Sequence, residues 1–207
     1  MSEPPTSKAV LARSLFEIGA VRFGKFTLAS GRTSSYYINL RMVPSYPEAY
    51  SAVIGAYQGL ARSLGESEFE ALAGVATAGI AFSSPLAFVM RKPMLYVRSQ
   101  EKGHGLGGLV EGAARPGLRA LVVDDLATTG GSMLLAVKAL REAGCKVGDA
   151  LVLVDRLEGG KDSLLREGVR LHSFVDVKEL VEIMRRSKKV TKREYDAVLR
   201  QVEGGPE

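Results

Sequence analysis

Residues 124–132 read Asp-Asp-Leu-Ala-Thr-Thr-Gly-Gly-Ser, which puts two carboxylates, three hydroxyls and two glycines into one short stretch. Such a turn offers backbone N–H groups, side-chain hydroxyls and the positive end of a following helix to one small volume, which suits a phosphate monoester. The two carboxylates repel that phosphate and suit neutral donors instead, such as a pair of vicinal hydroxyls. A ribose 5-phosphate satisfies both halves. The apolar run Ala120-Leu-Val-Val123 just before the acids has the length and branching of a strand buried on both faces. Burying an unpaired carboxylate is costly, so the strand is expected to end where Asp124 and Asp125 begin and to emerge there at a ligand or at water. Residues 133–145 then carry apolar residues at helical spacing and stop at Gly144.

Three other stretches bear chemistry. After Tyr96-Val97 the chain reads Arg98-Ser-Gln-Glu-Lys102-Gly-His104-Gly-Leu-Gly-Gly108, a glycine-rich lid with three cations or potential cations. Gly103 to Gly108 matches the dinucleotide pattern G-x-G-x-x-G, but Gly112 and Pro116 deny it a following helix, and the match is set aside. Gly74-Val-Ala-Thr-Ala-Gly79 leads from a strand into a helix, and its amides suit a second anionic group. Asp155-Arg156 closes a strand at the same sheet edge as Asp124, and its arginine suits a planar carboxylate as well as a structural acid. His172 falls within a strand and reads as a packed histidine.

The elements that must position these residues alternate. A helix is expected over 7–20, two short strands around a polar turn over 21–40, and a helix from Pro47 to the Leu64-Gly65 boundary. Strands at 71–75, 94–97, 120–123, 150–154 and 169–175 are interleaved with helices at 80–90, 132–144 and 162–167. This argues an α/β fold with an open, mostly parallel sheet flanked by helices, whose ligand lies at the carboxyl ends of the strands. Asp176-x-x-Glu179 and Thr191-x-x-Glu194 are capping-box patterns that start two final helices. The chain reads as one domain over 1–207, with 1–45 a small N-terminal hood and 176–207 the C-terminal helices.

At 46% hydrophobic and 25% charged residues the composition is that of a globular protein, and no apolar run is long enough for a membrane span. The opening residues lack the apolar core of a signal peptide, and the single cysteine, Cys145, excludes an internal disulfide, so a cytoplasmic setting is expected. A net charge of +5 suits anionic ligands and leaves nucleic acid open. The basic cluster Arg185, Arg186, Lys188, Lys189, Lys192 and Arg193 is its only local support and is read as a solvated charged turn, because neither flanking helix offers a set of base-reading side chains.

The acid-to-serine stretch resembles the phosphoribosyl-diphosphate (PRPP) signature of the type I phosphoribosyltransferases. Residues 23–39, Phe-Gly-Lys-Phe-Thr-Leu-Ala-Ser-Gly-Arg-Thr-Ser-Ser-Tyr-Tyr-Ile-Asn, together with the lid and Asp155-Arg156, make the resemblance specific to orotate phosphoribosyltransferases. It implies transfer of the phosphoribosyl group from PRPP to N1 of orotate, giving orotidine 5′-monophosphate and diphosphate in pyrimidine biosynthesis. By that resemblance Asp124 and Asp125 hold the ribose hydroxyls, Leu126, Ala127, Thr128, Thr129, Gly130, Gly131 and Ser132 form the 5′-phosphate loop, and Arg98, Lys102 and His104 reach the diphosphate. Lys102, His104 and Asp125 are the catalytic candidates. Thr128 and Arg156 contact orotate, with Tyr37 and Ile38 along the base. The resemblance also implies a homodimer whose lid acts in the neighbouring subunit, and Mg2+ carried on diphosphate oxygens rather than held by protein side chains. Members of the family often carry Lys where this chain has Ala29, Ala78 and Ser99; Lys25 and Lys92 are candidates to restore that charge. A phosphoribosyltransferase for a purine or another base is the alternative on the same loop.

Overall fold

The protein is described by a computed structural model covering residues 7–27, 31, 33–100 and 108–204. Helix α1 (Lys8–Glu17) leads into the antiparallel pair β1 (Val21–Thr27) and β2 (Thr33–Ile38), which form a separate two-stranded sheet. A 3-10 turn (Leu40–Ser45) and α2 (Pro47–Leu64), with Pro47 at its first turn, connect this hood to the main body. The body alternates: β3 (Ala71–Val75), α3 (Ala78–Met90), β4 (Met94–Val97), β5 (Val110–Glu111), β6 (Ala120–Val123), β7 (Leu126–Ala127), α4 (Gly131–Glu142), β8 (Asp149–Asp155), α5 (Gly160–Arg166) and β9 (Arg170–Asp176). Helices α6 (Val177–Arg186) and α7 (Lys192–Glu203) complete it, each opened by the expected capping box, Asp176 with Glu179 and Thr191 with Glu194.

β4, β3, β6, β8 and β9 run parallel, and β5 adds a short antiparallel edge to β4. The central strands β3, β6 and β8 are buried on both faces, and their alternation sorts side chains into two cores. Leu121, Val123, Leu151 and Leu153 face α2, α3, α6 and the hood, whereas Ala120, Val122, Ala150 and Val152 face α4 and α5. Among the described residues no helix is long and apolar enough to cross a membrane.

As expected, β6 ends at Val123, where the acids begin, but the sheet resumes beyond them: Val122 and Val123 pair with Ala150 and Leu151, and Leu126 and Ala127 of β7 pair with Val154 and Asp155. Both sets keep the same register. The Asp124 N–H donates to Leu151 O at 3.0 Å and the Leu153 N–H to Asp125 O at 3.0 Å, so β7 carries the line of β6 past the acids. The sheet tolerates two carboxylates in the break between β6 and β7 because their backbone groups remain paired even though their charges are not.

Candidate functional site: an acid pair and a phosphate turn

Asp124 and Asp125 are 7% and 8% exposed, and among the described residues neither forms an ion pair. Each carboxylate takes the next amide: Asp125 N–H donates to Asp124 Oδ1 and Leu126 N–H to Asp125 Oδ1, both at 2.9 Å. Burial, and then the charge of Asp125, push the Asp124 carboxyl up to about 8. Burial also raises Asp125, against the opposing pull of the Leu126 amide. Arg41, on the 3-10 turn after β2, lowers both by its charge. A buried acid pair with so little compensation is arranged for a partner that donates hydrogen bonds or carries cations.

Two elements hold this pair from behind. The Tyr57 hydroxyl, fully buried on α2, donates to Asp124 O at 2.6 Å. Gly79, at the start of α3, lies so close that a Cβ there would stand 2.5 Å from Val123 O and 3.0 Å from Asp124 Oδ1. Only glycine allows this approach, and it brings the 74–79 turn, with the amides assigned to a second anion, directly beside the acids.

The phosphate turn follows. Thr129, Gly131 and Ser132 are exposed, Thr128 is half-buried, and Gly130 takes φ +86° immediately before α4. No side chain caps α4, which leaves its first N–H groups available to an anion. The turn is braced by the loop after β8: Arg156 N–H donates to Ala127 O at 3.0 Å and Gly160 N–H to Thr128 O at 2.9 Å. A Cβ at Gly160 would meet Thr128 O at 2.6 Å, so the loop bearing Arg156 and the phosphate turn are packed as one unit.

Arg156 is therefore fixed beside the turn, as the sequence places it. Its side chain is 14% exposed, its Nη2 lies 2.8 Å from Glu158 Oε1, and its Cζ sits 5.1 Å from the centre of the Tyr36 ring. Tyr37 and Ile38 occupy successive strand positions and point to opposite faces, Tyr37 39% exposed with its ring 5.8 Å from Phe26, Ile38 packed into the core. Arg98, the first residue of the stretch expected to form a lid, lies 3.5 Å from Glu111 of β5. Lys102 and His104 lie outside the described residues, as does Ala29.

Ala78 opens α3 and Ser99 is exposed after β4, so both positions that lack a lysine stand at the carboxyl ends of their strands. Lys92 does not make good that charge. Its Nζ donates to Glu66 O at 2.8 Å and Phe69 O at 3.0 Å, near the amino end of β3. Lys25 is exposed on β1. His172 also belongs to the amino end, half-buried with Nε2 2.7 Å from Asp149. In the basic cluster, Arg186 pairs with Glu182 and Lys192 with Asp196, one turn apart on their own helices. Sequence reading missed Arg41, Tyr36, Tyr57, Glu158 and Gly160. Glu158 and Gly160 had a usable signal, an acid and a glycine just past Arg156; the tyrosines had none, since their partners are distant in sequence.

Comparison with known proteins agrees with this geometry. The phosphoribosyl transferase domain family matches residues 42–170. Orotate phosphoribosyltransferase of Cenarchaeum symbiosum is 41% identical over 191 residues, covering 92% of this chain and 94% of that one. The Pyrobaculum aerophilum enzyme of the same name is 43% identical over 84% of this chain and 90% of its own. The crystal structure of orotate phosphoribosyltransferase from Aeropyrum pernix superimposes with a TM-score of 0.75 at 41% identity, over 87% of this chain and 99% of that one. Leishmania donovani UMP synthase gives a TM-score of 0.83 at 32% identity over 96% of this chain, which spans 42% of that longer protein. With its acid pair, phosphate turn and parallel sheet, this chain belongs to the phosphoribosyl transferase domain family and, within it, to the orotate phosphoribosyltransferases.

Proposed function

We propose that this protein transfers the 5-phosphoribosyl group of PRPP to orotate, releasing diphosphate and forming orotidine 5′-monophosphate for pyrimidine synthesis. The observation that carries the reading is the buried, uncompensated pair Asp124–Asp125 set against the uncapped start of α4. Asp124 and Asp125 accept the ribose hydroxyls, and residues 126–132 hold the 5′-phosphate through amides and the hydroxyls of Thr128, Thr129 and Ser132. Arg156 faces the orotate carboxylate, with Thr128 beside it and the hood over the base; Tyr37 and Ile38 point to opposite faces of β2, so only one of the two side chains lies along the base. Displacement at C1′ passes through an oxocarbenium-like state; fixed charges and exclusion of water stabilise it. Arg98, Lys102 and His104 of the lid receive the leaving diphosphate. Mg2+, a partner of hard oxygens, would come with the diphosphate and not be held by protein side chains, and it would neutralise the departing charge.

The functional unit is a single catalytic domain over 1–207, hood at 1–45 and C-terminal helices at 176–207, acting as a homodimer with the lid in trans. Phe88, 84% exposed at the end of α3 beside half-exposed Val89, supports a covered face there. A reducing cytoplasm suits the buried, unpaired Cys145. The test is diphosphate release from PRPP and Mg2+ with orotate, uracil, adenine and hypoxanthine, alongside loss of orotate absorbance. Turnover with orotate is expected; turnover only with a purine would overturn the reading. Lys102→Ala is expected to slow turnover without lowering thermal stability, and an unchanged rate would remove the lid from the mechanism.

A further inference from the structure

Arg156 Nη2 forms an ion pair with Glu158, whereas among the described residues its buried Nε has no hydrogen-bond partner. The Tyr36 hydroxyl donates to the same Glu158 oxygen at 3.3 Å, and the Tyr36 ring supports the guanidinium at 5.1 Å. Tyr36 is 1% exposed, and its strand is tied to α7: the Ser35 N–H donates to Gln201 Oε1 at 2.6 Å and Gln201 Nε2 to the Ser34 hydroxyl at 3.1 Å. The Ser34 hydroxyl in turn donates to Tyr36 O at 2.7 Å.

We propose that Glu158 is a positioning residue that sets base specificity: together with Tyr36 it fixes the Arg156 guanidinium so that Nε is presented to the carboxylate of an acidic pyrimidine. The inference rests on the proposed reading of Arg156 as the orotate contact. A guanidinium has five N–H donors, so Glu158 can engage Nη2 and leave Nε for the substrate. A base without a carboxylate leaves Nε buried and unpaired, and a site built around a buried polar group discriminates strongly on that ground. Glu158 acts only through Arg156, so its effect belongs to the base and not to PRPP.

The experiment compares wild type, Glu158→Ala, Glu158→Gln and Tyr36→Phe in steady-state assays with orotate and PRPP varied separately, and with uracil as competing base. Glu158→Ala is expected to raise KM for orotate about tenfold, in the range for losing a charge-assisted hydrogen bond. KM for PRPP stays within about twofold, and the preference for orotate over uracil falls. Glu158→Gln, whose amide oxygen accepts from both Arg156 and Tyr36, is expected to restore most of the loss. An unchanged KM for orotate, an equal rise in both KM values, or a glutamine variant as poor as the alanine one would overturn the proposal. If Glu158→Ala does not fold, Tyr36→Phe decides: it removes only the hydroxyl, and a rise confined to KM for orotate supports the proposal while no change overturns it. A wild-type enzyme inert toward orotate would overturn both this inference and the proposed function; an active wild type with unaffected variants overturns this inference alone.

Discussion

At the amino end of β8, Asp149 accepts from Arg170 Nε and Nη2 at 3.0 and 2.9 Å and lies 2.7 Å from His172 Nε2. Toward the carboxyl end of neighbouring β6, Asp124 and Asp125 have no such partners among the described residues. Burial acts on all three in the same direction, raising the carboxyl. At Asp149 the bonds from Arg170 and His172 outweigh it and hold the group below its ordinary value. At Asp124 nothing outweighs it, and the group rises to about 8. The same residue type thus closes an ion cluster at one end of the sheet and leaves an open electrostatic demand at the other. Paired acids explain themselves; these two need a ligand.

The largest expected effect breaks the unpaired end. Asp125→Asn should lower kcat/KM for PRPP by roughly 10- to 100-fold, the range for losing one or two hydrogen bonds to a charged acceptor, while the thermal melt stays at or above wild type. A melt that drops as far as activity would make the pair structural. Tyr57→Phe is a smaller lesion of the same end: it leaves Asp124 O buried without the hydroxyl, which should cost about 1–3 kcal/mol in chemical denaturation and raise KM for PRPP a few-fold, with KM for orotate unchanged. Equal changes in both KM values would show that Tyr57 supports the core and not the acids.

Asp149→Asn should leave turnover unchanged and lower the melt by only a few degrees, since the pair it breaks is largely solvent-screened. The two ends also differ in the sign of their pH dependence. Asp124 holds its proton in the fold more tightly than in the unfolded chain, so its contribution to stability is lost as pH rises from the ordinary carboxyl range to about 8. Asp149 does the reverse: its contribution is present above the ordinary carboxyl value and disappears as pH falls through its lowered one. Denaturation between pH 5 and 8 should therefore show a shallower decline for Asp124→Asn than for wild type, and an unchanged slope for Asp149→Asn. Parallel slopes for wild type and Asp124→Asn would contradict the burial of an uncompensated acid.

What could be read from the chain was whatever depends on neighbours a few residues apart. The acids, hydroxyls and glycines of 124–132 state a ligand chemistry by themselves, and capping boxes at Asp176 and Thr191 need only a partner three positions on. Alternating strand and helix patterns likewise carry the parallel sheet, because each periodicity is local. Tertiary packing decided the rest. That the sheet runs on in register beyond the acids depends on β8, and that Lys92 serves the amino end depends on carbonyls more than twenty residues earlier. Tyr57 reaches Asp124 across 67 positions and Tyr36 reaches Glu158 across 122. Such pairings have no period and no fixed spacing; they exist only because two cores bring the elements together, and they turn a list of reactive residues into an oriented site.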